Sequence, residues 1–196
     1  MRIGAPTTRC GCIAHISTTD QSTYWLDAMV TTSDNSAEIE RAFAAYQATV
    51  AEIAESGGWA RFADMFTEDA SYEEHAYGTF SGREEIRSWV LETMTAFPGN
   101  TMSSFPIAWH VVDAPTNRVI CEVRNLMPDP GDGSVHEASN LTILTYAGEG
   151  LWSREEDIYN PMRFAKMSVR WARVAAKHGR LSAEGQAFLD RMSSSR

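Results

Sequence analysis

From residue 103 to residue 159 the side-chain period is two, and no other feature limits the possible folds so tightly. Stretches at 103–113, 117–127, 136–147 and 150–159 alternate in character. They are separated by Ala-Pro-Thr-Asn, Pro-Asp-Pro-Gly-Asp-Gly and Ala-Gly-Glu-Gly. Connections this short join antiparallel neighbours, because a parallel pair needs a crossover of a dozen or more residues. These segments are therefore predicted to form an antiparallel meander. Its last member, Gly150 to Pro161, carries charge in mid-strand. Strict alternation puts Leu151, Ser153, Glu155, Asp157 and Tyr159 on one face, and Trp152, Arg154, Glu156 and Ile158 on the other. Carboxylates on both faces, edged by aromatics, suggest a sheet that curves around something polar.

Upstream the period is helical. Asn35 with Glu38 offers an N-cap and its reciprocal partner, and Ile39, Phe43, Tyr46, Val50 and Ile53 follow at spacings of three and four. Gly57-Gly58 stops this helix. Trp59, Phe62, Ala63 and Phe66 predict a short second one. Asp69 to Phe80 is a strand pair with a turn near Gly78, and Ser81 to Glu84 is a capping box opening a third helix through Ile86, Trp89, Val90, Met94 and Phe97. After Pro161 the helical pattern returns over 162–178, with a further helix from Ser182 to Met192.

Helices grouped before strands mean an α+β layer with the helices on one face. A strongly twisted sheet closed by helices makes a cone with an internal cavity. The predicted architecture is thus a cone-shaped, strongly curved antiparallel sheet with three helices on its concave face and a C-terminal helical extension. Its parts are a disordered or loosely attached leader over 1–33, which shows neither period, a cone domain over 34–162 and the extension over 163–196.

A formal net charge of -9 over 196 residues leaves no basic stripe for nucleic acid and no attraction to anionic membranes. No apolar run approaches the roughly 20 residues of a bilayer span. The N-terminus lacks an apolar core of the secretory kind. Cys10, Cys12 and Cys121 are read as free thiols in a reducing cytoplasm. His75, His110 and His136 show neither a helical His-x-x-x-His nor a compact set of three ligands, so no metal and no cofactor is expected.

The order of elements, together with Phe66-Thr-Glu-Asp-Ala70, Ser81-Gly-Arg-Glu-Glu-Ile86 and Asp157-Ile-Tyr-Asn-Pro161, resembles the SnoaL-like branch of the nuclear transport factor 2-like superfamily over residues 36–162. The resemblance implies the cone fold. It also implies a range of activities, among them polyketide cyclases, ketosteroid isomerases, epoxide hydrolases, dehydratases and non-catalytic modules. Carried over residue by residue from the ketosteroid isomerases, it places a general base at Glu74 and an oxyanion tyrosine at Tyr46. Their protonated acid falls on Thr142, a departure that removes a strong acid. SnoaL-type cyclases imply an acid/base aspartate at Asp157.

Burial in an apolar cone raises a carboxyl pKa toward the range where general acid–base catalysis works best. Glu74 and Asp157 are the catalytic candidates. Their structural alternatives are a solvated strand-edge charge and a turn ligand. Tyr46, Glu122, Arg124, Asn140, Thr142 and Tyr159 are candidates for binding substrate. Glu122 and Arg124 share a face, and cross-strand pairing with Arg154 and Glu156 is the reading preferred over substrate binding. The function expected is proton transfer without cofactor, of isomerase, cyclase or dehydratase type, on a hydrophobic polycyclic or polyketide-like molecule. The alternative is a non-catalytic binding or dimerisation module whose cone is filled by side chains. Trp152 and Ile158, placed opposite Asp157, predict a homodimer through the sheet.

Overall fold

The computed structural model describes the backbone of residues 21–194 and the side chains of residues 35–194. Helix α1 (Gln21–Ser56) buries Ile39, Phe43, Tyr46 and Ile53 at the expected spacing, and Gly57 ends it in the left-handed conformation (φ 71°). The expected cap at Asn35 lies inside this helix. Its amide nitrogen donates instead to Ala114 O at 3.3 Å and to Asn117 Oδ1 at 2.6 Å. The leader expected over 1–33 is therefore helical from Gln21, while residues 1–20, with Cys10 and Cys12, lie outside the described residues.

A 3-10 turn (Trp59–Met65) stands where a short α-helix was expected, and it buries Phe62 and Ala63. Strands β1 (Phe66–Glu74) and β2 (Gly78–Ser81) form a hairpin. Helix α2 (Arg83–Thr95) packs Ile86 and Val90 inward. Its capping differs from the expected box: the Ser81 backbone N–H donates to Glu85 at 2.7 Å, and Glu84 pairs with Arg87.

The meander is as predicted: β3 (Ile107–Asp113), β4 (Arg118–Leu126), β5 (Glu137–Gly148) and β6 (Leu151–Ile158). The sheet order is β2-β1-β6-β5-β4-β3, and β1 runs parallel to β6. The sheet is thus mixed rather than wholly antiparallel, because the N-terminal hairpin docks beside the last strand. The main core sits between the helices and the concave face, around Phe43, Phe66, Leu144, Tyr146 and Trp152.

Helices α3 (Pro161–Lys177) and α4 (Ala183–Ser194) build a second core. Pro161 opens α3 behind an Asn160 cap that accepts from Met162 N at 3.0 Å. Met167, Trp171, Ala172 and Ala175 pack on Phe97, Met127 and Ala138. Ala138 shares its strand face with Asn140 and Thr142, so α3 covers one end of the concave face. Trp171 Nε1 donates to Pro128 O at 2.6 Å, and Gly131 (φ 120°) passes so close to His178 that a Cβ there would lie 2.5 Å from its Cβ. No helix among the described residues is long and apolar enough to cross a membrane.

Candidate acid cluster on the concave face

Two carboxyl groups of β6 face the concave side, and a bulge puts them there. Thr145 pairs with Arg154 but Tyr146 pairs with Trp152, so Ser153 is an extra residue on β6. Strict alternation was expected to place Trp152 opposite Asp157. Across the bulge, Trp152 joins Glu155 and Asp157 on the inner face, 1% exposed and edge-on to Tyr46 and Tyr146.

Glu155 is buried, and the Tyr46 hydroxyl donates to both of its oxygens at 3.1 Å. Burial pushes its carboxyl pKa well up, the nearby Asp157 charge pushes the same way, and hydrogen bonds from Tyr46 and Tyr72 oppose them. Asp157 accepts from Tyr72 at 2.5 Å, from Asn140 at 2.7 Å and from Thr142. Burial raises its pKa too, against those three bonds. Both tyrosine hydroxyls are pushed well above their usual value by burial and by the two carboxylates, so they remain donors. Asn125 extends the chain by donating to Asn140 Oδ1 at 2.7 Å. Glu155 is sealed, whereas Asp157 is only partly buried as a residue even though its carboxyl is enclosed by its partners.

Tyr46, Asn140, Thr142 and Asp157 thus converge as site candidates. Thr142, the departure from the isomerase pattern, donates to Asp157 rather than acting as an acid. Glu74 is buried beside this group, but one of its oxygens accepts from Ala76 N at 2.7 Å and Tyr77 N at 2.9 Å. It therefore holds the β1–β2 turn, a different role from the solvated edge charge considered as its alternative. Tyr159 hydrogen-bonds to Glu74 and packs its ring on Phe164. Glu122 and Arg124 stand on the opposite face. Glu122 accepts from Trp109 Nε1 at 2.7 Å, and Arg124 pairs with Glu137 rather than with β6, because β5 lies between. Glu155 and Tyr72 were not among the candidates. The signal for Glu155 was available, since it lies two residues before Asp157 on the same predicted face.

The concave face is occupied by side chains. Two shallow hollows, of about 360 and 380 Å³, lie on the surface around β2 and α2, and neither is lined by Glu74, Glu155 or Asp157. The histidines also differ from expectation. His110 sits by Glu40 and His136 by Ser134, but His75 lies in a compact set with Glu73 and Glu156.

A family model described as a SnoaL-like domain matches residues 39–154. Among solved structures, an LEH-like epoxide hydrolase from M. tuberculosis aligns with TM-score 0.54 at 11% identity, covering 76% of this chain and 96% of that one. Bal32a, from a soil-derived mobile gene cassette, aligns with TM-score 0.50 at 16% identity, covering 68% and 98%. A protein of ketosteroid isomerase-like fold from Catenulispora acidiphila aligns with TM-score 0.46 at 22% identity, covering 58% and 84%. These likenesses concern the fold. No curated protein matches the chain in sequence.

Proposed function

The chain belongs to the SnoaL-like family, and from that premise we propose that it is a cofactor-independent enzyme transferring protons on a hydrophobic small molecule. Asp157 is the acid/base group. Glu155, its carboxyl pKa pushed well up by burial and its oxygens linked to Tyr46, is the partner whose protonated form would hydrogen-bond developing negative charge once the site opens. The observation that supports this most is the pair itself: two carboxyls with raised pKa on one strand face, each held by a phenol. A polycyclic or polyketide-like ketone suits such a site, because its enolate needs one base and one neutral donor. It would enter where Asp157 is partly exposed, and α3 would have to shift to admit it. The free buried thiol of Cys121, its pKa pushed up to about 12 mainly by burial, suits a reducing cytoplasm.

The test is exchange of α-protons for deuterium in a panel of polycyclic ketones, followed by mass spectrometry. Asp157→Asn should slow exchange about 10²–10⁴-fold, the usual worth of general acid–base catalysis. It should leave melting level or higher. Lack of exchange by the wild type, with a clear loss of stability in the variant, would make Asp157 scaffold. That outcome would favour a non-catalytic binding or dimerisation module, a reading supported by the filled concave face.

A further inference from the structure

On the outer face, where β1 meets β6, Glu73 and Glu156 stand side by side in parallel register, and His75 follows just beyond the end of β1. Arg154 donates to Oε2 of Glu73 at 2.5 Å and to Oε2 of Glu156 at 3.0 Å. Each carboxylate thus gives one oxygen to the guanidinium and turns the other toward the imidazole. His75 Nε2 lies 3.0 Å from Glu156 Oε1 and 3.8 Å from Glu73 Oε1. All three ligand atoms lie within 4.8 Å of one another.

Donors about 2.0–2.2 Å from a tetrahedral zinc ion are themselves about 3.3–3.6 Å apart. The His75 nitrogen stands 3.0 and 3.8 Å from the two carboxylate oxygens, on either side of that spacing, and all three atoms lie within 4.8 Å of one another. We infer that Glu73, His75 and Glu156 form a binding site for a divalent transition cation, with a fourth position open to water. One imidazole nitrogen with two carboxylate oxygens suits zinc or cobalt better than calcium or magnesium, which take oxygen shells. Arg154 acts from the outer shell, fixing both carboxylates and offsetting one of their two charges. The ligands are 21–39% exposed, so an ion reaches them from solvent. Two come from the β1 end and one from β6, so the ion ties together the one parallel pair of the sheet. This cluster lies on the face opposite Asp157, and the inference is independent of the proposed activity.

Cobalt titration of the full chain near neutral pH tests it through visible absorption. One equivalent should produce tetrahedral or five-coordinate bands and raise the melting temperature. His75→Ala should weaken binding at least about tenfold, the smallest loss seen even for outer-shell changes. Glu156→Gln, which preserves shape, should do the same. His110→Ala, at a histidine that pairs with Glu40, should change nothing. An absent spectrum with wild type, or unchanged binding in both His75→Ala and Glu156→Gln, overturns the site.

Discussion

Removing the Tyr46 hydroxyl tests most directly whether Glu155 bears a proton-dependent load in the core. In Tyr46→Phe the ring keeps its packing with Phe43, Phe62 and Trp152, and what is lost is the O–H reaching both Glu155 oxygens at 3.1 Å. A hydrogen bond to a charged group contributes about 1.5–3 kcal/mol, against about 1 kcal/mol between neutral groups. For a domain of this size one kcal/mol shifts the melting temperature by about 2–4 °C, so the loss is about 3–12 °C with Glu155 charged and about 2–4 °C with it neutral. Burial raises the folded-state pKa of Glu155 above its unfolded value. The folded chain therefore holds more protons in the window between those two values, and stability falls as pH rises through it. Thermal melts by circular dichroism, from mildly acid to mildly alkaline buffer, should show Tyr46→Phe costing more on the alkaline side. Glu155→Gln should flatten the slope, leaving the part due to Asp157, and should hold or raise stability in alkali. In the double variant the Tyr46→Phe penalty should shrink to its neutral size. Equal Tyr46→Phe costs at both ends, or a loss of several degrees in alkaline Glu155→Gln, would refute the reasoning.

Two further outcomes follow from the packing. Trp109, Val111 and Leu141 are 45%, 53% and 38% exposed on the outer face, and we propose a second copy of the chain as their cover, in a homodimer through the sheet. Sedimentation should give a dimer for wild type and a monomer for Val111→Glu, and a monomeric wild type ends the proposal. Trp171→Ala should cost about 3–5 kcal/mol by chemical denaturation, since it empties the second core and leaves the Pro128 carbonyl unpaired. Hydrogen exchange should then quicken in α3 and α4 before it does in β4, and uniform quickening would mean the two cores unfold as one.

What the sequence made legible is what short-range periodicity reports. Ile39, Phe43, Tyr46 and Ile53 mark a helix face whatever the partner, and turn lengths fix the order of β3 to β6. The parallel docking of β1 on β6 left no local trace, because it depends on contacts such as Glu74 with Asp157 across the chain. The same limit governed the site. Asp157 and Thr142 are named from the family resemblance and Asn140 from sharing a strand face with Thr142, and the three lie together on the inner face. Glu122 and Arg124 lie on the outer face, which the sequence did not reveal because a charged pair looks alike on either face. Glu74 fell in the right place, but its oxygen is committed to a turn that no periodicity displays.

The bulge at Ser153 is where the two halves of the strand's pattern are reconciled. A side-chain period of two lets a regular strand bury either Trp152 or the pair Glu155 and Asp157 on one face, never both. One extra residue puts all three inside. The physical consequence is energetic as well as geometric. An aromatic of this size removes about 150–250 Å² from water, worth roughly 4–6 kcal/mol at about 25 cal/mol per Å². Burying a carboxylate costs several kcal/mol unless it is protonated or hydrogen-bonded. Trp152, 1% exposed, thus anchors the first half of a strand whose second half is unfavourable to bury. The phenols of Tyr46 and Tyr72 offset part of the remaining cost. A raised carboxyl pKa in this fold is therefore sustained by the apolar contact three residues upstream, and a strand lacking the bulge would turn either the anchor or the acids outward.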